Sequence, residues 1–432
     1  MNIRKRHTVV LIVCDAIRWD YLNSYDTPFL IELANKGIYI RKIRPSLGFC
    51  ERVEMFTGAR PEDSGYFTAF TFDKHKSDFK ILSNNELKLL KILRKISYIV
   101  GYKMKLSKKI IDNLIRLYLI KFRNITQPLY EIPTVFLKEI SLTEDFKNMY
   151  VKNGLNIESI FDIMVAENKT FLYDTFASLR MWTFYSDDRR IRVFLRKVRR
   201  KHYDLCMLYL GEGDGVGHFY GPDSTERRIM TRKLDRRIRN IVFSISKIYP
   251  KAFFIILGDH GMVAVNRYVN AFLKIIKWSK KYNLIMNKDY KFFLDSTMIR
   301  IWTKCQKARK AFSTMFNMDT ELINLGFLLD EKKIKFYHLP KRIEYYGDFI
   351  WLAKPGVVIY PDFFHVIDKV KGMHGYDPHF DEQKGFAILY SCEEYLNSKE
   401  IEERELIDIC PTLCDLLDIR YPKMNKGMSI LQ

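Results

Sequence analysis

The sequence predicts an α/β protein built on a doubly wound, mostly parallel sheet with helices on both faces. Three short apolar runs, at residues 8–14, 203–210 and 252–257, each lead directly into a polar segment. Continuous apolar runs of this length are typical of strands buried on both faces. The order of strand, polar segment and helix recurs along the chain, which favours one sheet with its chemistry along one edge.

The first unit places a carboxylate at the end of its strand. Asp15 follows residues 8–14 directly, and open α/β sheets bind their ligands at the carboxyl ends of the strands. A helix is predicted over Pro28–Lys36, with Thr27 as its N-cap and Gly37 just past its end.

The second and third units carry glycine-rich segments. Residues 211–218 read Gly-Glu-Gly-Asp-Gly-Val-Gly-His and are predicted to form a loop before a long helix. Residues 258–262 read Gly-Asp-His-Gly-Met and follow the third strand. The glycines permit the sharp backbone turns that adjacent ligands need.

Composition indicates a folded globular protein. The chain has 432 residues, of which 47% are hydrophobic and 14% aromatic, with only 20 Gly and 13 Pro, so disordered and collagen-like classes are excluded. Seven scattered cysteines show no paired metal spacing, and the first apolar run stops after six residues at Asp15. No run approaches the roughly 20 apolar residues of a membrane span. We therefore expect a cytoplasmic protein with free thiols.

Two insertions interrupt the predicted catalytic domain. The core is expected at 1–79, 150–270 and 367–432, with a basic amphipathic insertion at 80–149 and a cap at 271–366 that determines substrate specificity. Residues 80–124 contain twelve basic and two acidic side chains, and their net charge of +10 is nearly half of the chain's +21.

The basic surface has three interpretations. It can be a solvated surface, a peripheral contact with an anionic membrane, or a nucleic-acid site. A second basic stretch, at 189–201, adds to it. No recognisable nucleic-acid module accompanies the charge, so we expect no specific nucleic-acid binding. The sequence leaves the oligomeric state open.

Six side chains near strand ends form a candidate metal site. Three carboxylates and three imidazoles suit two divalent ions, each with about three protein ligands and an open position. Zinc is the expected metal, with manganese or iron as alternatives. The six residues are Asp15, Asp214, His218, Asp259, His260 and His374.

These residues lie in motifs that resemble the alkaline phosphatase superfamily, most closely its nucleotide pyrophosphatase/phosphodiesterase branch. The motifs are at 15–22, 214–223, 258–262 and 373–377. The resemblance implies an alkaline-phosphatase-like fold. It also implies that Asp214, His218 and His374 hold one metal, and that Asp15, Asp259 and His260 hold the other.

The implied activity is hydrolysis of phosphodiester or pyrophosphate bonds by in-line displacement at phosphorus. The substrate would be a phosphate-ester small molecule or a glycan- or lipid-linked phosphodiester. Alternatives are a phospho-group transferase or phosphomonoesterase on the same metals, and a catalytically silent binding relative.

One loop departs from the family pattern. The position of the usual Thr or Ser nucleophile falls on Gly48, which has no side chain. Cys50 is the first replacement candidate, as nucleophile or metal ligand, and Ser46 is the second. Glu51 stands where relatives carry an asparagine, which argues against simple phosphomonoesters. Arg52 is expected to hold the substrate anion.

Overall fold

The computed structural model of the protein describes residues 8–125, 127, 129–143, 149–173, 186–393 and 396–432. Its strands are, in chain order, β1 (Val9–Cys14), β2 (Ile38–Arg44), β3 (Phe70–Phe72), β4 (Ile140–Leu142), β5 (Phe171–Tyr173), β6 (Leu205–Leu210), β7 (Phe253–Gly258), β8 (Val263–Ala264), β9 (Arg267–Val269), β10 (Tyr290–Leu294), β11 (Met298–Thr303), β12 (Gly326–Leu328), β13 (Phe349–Ala353), β14 (Val357–Ile359), β15 (Gly372–Met373), β16 (Gly385–Ser391) and β17 (Lys399–Glu405). Its helices are α1 (Pro28–Lys36), α2 (Glu51–Thr57), α3 (Pro61–Ser64), α4 (Asn84–Lys103), α5 (Lys105–Arg123), α6 (Ile160–Ala166), α7 (Asp187–Arg200), α8 (Glu212–Tyr220), α9 (Thr225–Ser246), α10 (Ala271–Lys281), α11 (Gln306–Met318), α12 (Thr320–Leu325), α13 (Glu331–Phe336) and α14 (Ile409–Leu417).

The central sheet has the strand order β17-β2-β16-β7-β1-β6-β5 within the described residues. Strand β1 pairs in parallel with β6 on one side and β7 on the other, and β5 and β17 also pair in parallel with their neighbours. Strand β16 runs antiparallel to β7 and β2. The predicted mostly parallel sheet is confirmed, and its three predicted strands are β1, β6 and β7.

Helices cover both faces of this sheet. Val9, Leu11 and Val13 of β1 belong to one buried cluster, which includes residues of α2, α6 and α14. The alternate residues of β1 belong to a second cluster with α1, α7 and α9. Because successive strand residues point to opposite faces, this partition shows the doubly wound arrangement directly.

The start of α1 differs from the prediction in how it is capped. Thr27 is at the N-cap, but its hydroxyl donates to the Asn23 carbonyl oxygen over 3.0 Å instead of accepting from the helix. The first free N–H groups, of Phe29 and Leu30, donate to the carboxylate of Asp235 on α9 over 3.3 and 2.9 Å. A distant side chain thus satisfies the helix end, which local sequence could not indicate.

The two insertions pack against each other. Strands β10, β11, β13 and β12 form a smaller antiparallel sheet, and α4 and α5 form a helical hairpin. Leu90 of α4 and Leu119 of α5 share one buried cluster with Phe292 of β10. The domain boundaries at 80–149 and 271–366 stay predictions.

All seven cysteines are free thiols. Among the described helices, none combines the length and low charge needed to cross a bilayer.

Candidate active site

The first half of the site lies at the carboxyl ends of β1 and β7. Asp15 follows β1 directly, and Asp259 and His260 follow β7. The chain turns at Ala16, whose φ of 56° is left-handed, and the Ala16 N–H donates to Oδ1 of Asp259 over 3.2 Å. Nε2 of His260 then lies 3.2 Å from Oδ1 of Asp15. Adjacent parallel strands therefore bring together three predicted ligands from distant parts of the chain.

The second half of the site is on a helix, where the sequence predicted a loop. Residues 212–220 form α8, so Asp214 and His218 are one turn apart on the same face. Nε2 of His218 lies 3.1 Å from Oδ1 of Asp214, and Nε2 of His374, just after β15, lies 3.5 Å from the same oxygen.

Close packing explains the glycines of this helix. A β-carbon at Gly213 would lie 2.6 Å from the carbonyl oxygen of Asp15, and one at Gly217 would lie 2.9 Å from the Met262 side chain. Gly213 and Gly217 therefore serve contact with the two strand-end loops. The loop prediction was wrong because it took glycine only as a turn former.

Backbone carbonyls orient two of the imidazoles. Nδ1 of His218 lies 2.8 Å from the Gly372 carbonyl oxygen, and Nδ1 of His260 lies 2.9 Å from that of Gly261. A carbonyl oxygen can only accept, so each Nδ1 carries the hydrogen, and in the neutral ring Nε2 keeps its lone pair. This is the usual outer-shell arrangement of metal-binding histidines.

Three sets of ligand atoms lie within 4.8 Å of one another among the described residues. They are Asp214, His218 and His374; Asp15, Asp214 and His260; and Glu51, His260 and His374. The first set is one of the two that the family resemblance implies. The second contains Asp214 in place of Asp259, whose Oδ1 accepts the backbone N–H groups of Ala16 and His260.

The electrostatics of this cluster favour a bound cation. Burial and the nearby Asp214 charge raise the pKa of Asp15. Burial also raises the pKa of Asp214, but His218 and His374 more than offset this and hold it below its ordinary value. Oδ1 of Asp214 and Nδ1 of His374 are buried without a hydrogen-bond partner. Because buried polar atoms are normally satisfied, the carboxylate–imidazole set fits divalent ions.

Tyr209 was missed by sequence reasoning. It lies on β6, and its hydroxyl donates a hydrogen bond to the Asp15 carboxylate. Nothing near it in the sequence marks it as functional. The signal is its place on the strand next to β1, which only the paired register shows.

The residues predicted in the nucleophile loop lie at the start of α2 or just before it. Cys50 is at the N-cap of α2, and its thiol lies 3.4 Å from Oε1 of Glu54. The backbone N–H of Ser46 donates to the same carboxylate over 3.1 Å. Neither Cys50 nor Ser46 belongs to the three ligand sets. Arg52 is half-buried in the first turn of α2, next to Glu51.

A cavity of about 350 Å³ adjoins the cluster. His218, Phe49 and Phe364 line it, as do Tyr130 from the basic insertion and His365 from the predicted cap. The chain therefore presents apolar and aromatic surface directly beside the metal-ligand cluster.

Nδ1 of His365 is 3.2 Å from the buried Asp362 carboxylate, which also accepts from the Ser296 hydroxyl over 2.6 Å. These contacts fix the imidazole in the cavity wall.

Comparisons with known sequences find relatives of this chain. The sequence model of type I phosphodiesterase / nucleotide pyrophosphatase matches residues 9–377. Human ectonucleotide pyrophosphatase/phosphodiesterase family member 7 is 44% identical over 66 residues, which are 15% of this chain and 14% of that protein. Venom phosphodiesterase 2 of Crotalus adamanteus is 26% identical over 239 residues, 53% of this chain and 28% of its own length. The chain thus matches less than a third of either relative.

Solved structures share the fold over most of the chain. Murine ectonucleotide pyrophosphatase/phosphodiesterase 5, as an inactive variant in complex with AMP, superposes with a TM-score of 0.65 at 15% identity, covering 96% of both chains. The human protein of the same name gives 0.64 at 17% identity, with the same coverage.

Proposed function

Because the chain belongs to the type I phosphodiesterase / nucleotide pyrophosphatase family, we propose that it hydrolyses phosphodiester or pyrophosphate bonds at a site for two divalent metal ions. The observation that carries this proposal is the partly buried cluster of Asp15, Asp214, His218, His260 and His374, in which one buried atom each of Asp214 and His374 has no hydrogen-bond partner. A structural ion pair does not require three imidazoles around two carboxylates, whereas two metal ions require several such ligands close together.

Each ligand has a defined place in the proposal. Asp214, His218 and His374 would hold one ion, and Asp15, Asp259 and His260 would hold the other. Ions of the zinc type, when bound there, would polarise the phosphoryl oxygens and neutralise charge at the attacking and leaving oxygens. Zinc is proposed because mixed carboxylate and imidazole ligands suit it; manganese and iron are the alternatives.

The substrate class follows from the surroundings of the cluster. Phe49, Tyr130 and Phe364 give the adjoining cavity an aromatic lining, which suits a planar group attached to the phosphate. Murine ectonucleotide pyrophosphatase/phosphodiesterase 5 has been solved with AMP, which supports a nucleotide or a similar aromatic ester here. Glycan- and lipid-linked phosphodiesters stay among the proposed substrate classes.

Turnover of chromogenic esters tests this activity. The zinc-loaded protein is expected to hydrolyse the p-nitrophenyl ester of thymidine monophosphate faster than p-nitrophenyl phosphate. Asp259→Ala is expected to abolish turnover, whereas Asp223→Ala, an exposed carboxylate in the 214–223 motif, is expected to keep it. No turnover of either ester by the metal-loaded chain would favour the silent binding relative.

We also propose that the α4–α5 hairpin docks on an anionic membrane. Each helix buries one apolar face and exposes a second one. The exposed apolar residues recur at three- and four-residue spacing, so each set lies on one helix face. They are Leu89, Ile92, Ile96 and Ile99 on α4, and Ile110, Leu114 and Leu117 on α5.

The charge next to this face matches anionic lipid. Lys88, Lys91 and Lys95 are exposed on α4 and lie along one flank of its apolar row. Basic residues beside an apolar stripe are the pattern of helices that lie in a membrane interface, where lysine ammonium groups meet anionic headgroups. A purely solvated surface does not need seven exposed aliphatic side chains in two rows.

Vesicle co-sedimentation tests the docking surface. The protein is expected to sediment with phosphatidylcholine vesicles that contain phosphatidylserine and to remain in solution with phosphatidylcholine alone. Ile92→Glu is expected to weaken vesicle binding about tenfold or more. The variant removes an aliphatic side chain that the membrane interface would bury, and it adds a negative charge that the anionic lipids repel. The matched control is Ile229→Glu on α9, because Ile92 and Ile229 are both 57% exposed. Equal recovery with both vesicles would overturn the proposal.

A further inference from the structure

The nucleophile position of the family cannot carry a side chain in this protein. Gly48 has a φ of +120°, and a β-carbon built on it would lie 2.1 Å from the carbonyl oxygen of Phe67. The same carbonyl accepts the Phe49 N–H over 2.9 Å, which holds the two segments together. A threonine or serine at position 48 would therefore require the loop to move.

The other hydroxyl and thiol of this loop are directed elsewhere. The Cys50 thiol, the Ser46 hydroxyl and the Ser46 N–H all contact the buried carboxyl of Glu54. Glu54 is 1% exposed and lies in α2, one turn after Cys50. The two predicted substitutes for the nucleophile are thus placed around Glu54 and outside the ligand sets.

Glu51 is the described loop residue that brings a ligand atom to the cluster. It lies in the same loop as Phe49, whose ring packs edge-on against His374. One carboxylate oxygen of Glu51, one ring nitrogen of His260 and one ring nitrogen of His374 all lie within 4.8 Å of one another. His260 and His374 belong to different proposed ion sites and stack with ring centroids 4.1 Å apart, so the Glu51 carboxylate lies next to ligands of both sites. The charged groups near it are His260, Asp15 and Asp259 from the strand ends, and Arg52 and Glu54 from its own helix.

On the basis of the proposed function, we propose that Glu51 takes the place of the missing nucleophile by holding the attacking water. The water oxygen forms the new bond to phosphorus, its proton passes to the Glu51 carboxylate, and the bond to the leaving oxygen breaks. The leaving group departs as an alcohol or phosphate after it gains a proton from solvent. Hydrolysis is then one displacement, with no phosphorylated protein side chain.

The stereochemistry at phosphorus tests this directly. A single displacement inverts the configuration, whereas two successive displacements through a protein nucleophile retain it. We expect inversion when a P-chiral phosphorothioate diester is hydrolysed in ¹⁸O-labelled water. Retention would overturn the role of Glu51 while leaving the hydrolase proposal intact. Absence of turnover by metal-loaded protein would instead count against the hydrolase proposal.

A Glu51→Gln variant gives a second readout. General-base assistance contributes about 10²–10⁴-fold, so kcat is expected to fall by that factor while metal content stays as in the unmodified chain. Glu62→Gln, a partly exposed glutamate in the next helix α3, is the control and is expected to keep both. Loss of one metal ion from Glu51→Gln would overturn the water-holding role, because it would show that Glu51 serves as a metal ligand.

Discussion

The buried guanidinium of Arg227 donates a hydrogen bond to the carbonyl oxygen of Gly213. Its other terminal nitrogen donates to the carbonyl oxygen of Ala16. These two carbonyls belong to the neighbours of Asp214 and Asp15, so one side chain on α9 ties the two halves of the metal-ligand cluster together.

Arg227→Met is therefore expected to lower both stability and metal affinity. Two buried carbonyl oxygens would lose their donor, which costs about 2 kcal/mol in the free energy of unfolding. Urea unfolding and zinc titration measure the two effects. The control is Arg228→Met, which removes an exposed arginine paired with Asp26. Equal behaviour of the two variants would contradict the linking role of Arg227.

Replacement of Gly48 by alanine is expected to destabilise the fold strongly. Its β-carbon would meet the Phe67 backbone at a left-handed φ, which costs roughly 3 kcal/mol or more. Gly65→Ala is the matched control, since Gly65 has a φ of +76° and a β-carbon there would have nothing within 4 Å of it. It is expected to cost roughly 1–2 kcal/mol. Denaturant unfolding of both variants measures the difference, and equal losses would contradict the packing argument.

Stability is expected to fall as pH rises from about 4.5 to 8 because of Glu54. Burial, followed by the negative charge of Glu51, raises the pKa of Glu54 from 4.5 to about 8. Between these values the folded chain holds a proton on Glu54 that the unfolded chain has released. The stabilisation from the neutral Glu54 carboxyl is therefore fully present below the unfolded pKa and is lost as pH rises through the folded pKa. One such proton corresponds to about 1.4 kcal/mol per pH unit.

Glu54→Gln removes this titration and is expected to flatten the pH dependence of the unfolding free energy over that range. Denaturant midpoints at several pH values measure it. The slope of Glu62→Gln should match that of the unmodified chain. An unchanged slope in Glu54→Gln would contradict the raised pKa.

Tyr209→Phe is expected to weaken zinc binding about 10–100-fold, the usual cost of losing an outer-shell partner. The variant removes the hydroxyl that donates to the Asp15 carboxylate and leaves the partly buried ring in place. Competition with a chromogenic chelator measures the affinity. Tyr203→Phe, before the same strand, is the control. Unchanged zinc affinity in Tyr209→Phe would show that Asp15 needs no orienting partner.

The central sheet could be predicted from the sequence because β1, β6 and β7 are continuous apolar runs that end at polar residues. The six metal-ligand candidates were also recognisable, since each follows such a run or lies in a motif with family resemblance. The helical form of α8 was not predictable, because its glycines serve contacts with Asp15 and Met262 that are distant in sequence. Tyr209, Arg227 and the position of Glu51 depend on the same kind of distant packing and carry no local signal.

Metal content per chain is the most direct test of the two-metal site. The protein would be purified without chelator, re-equilibrated with zinc, desalted and measured by elemental mass spectrometry. Close to two tightly held ions per chain is the predicted result, with loss of at least one in Asp214→Ala, which removes the carboxylate shared by two ligand sets. One ion or none in the unmodified chain would contradict the two-metal hydrolase.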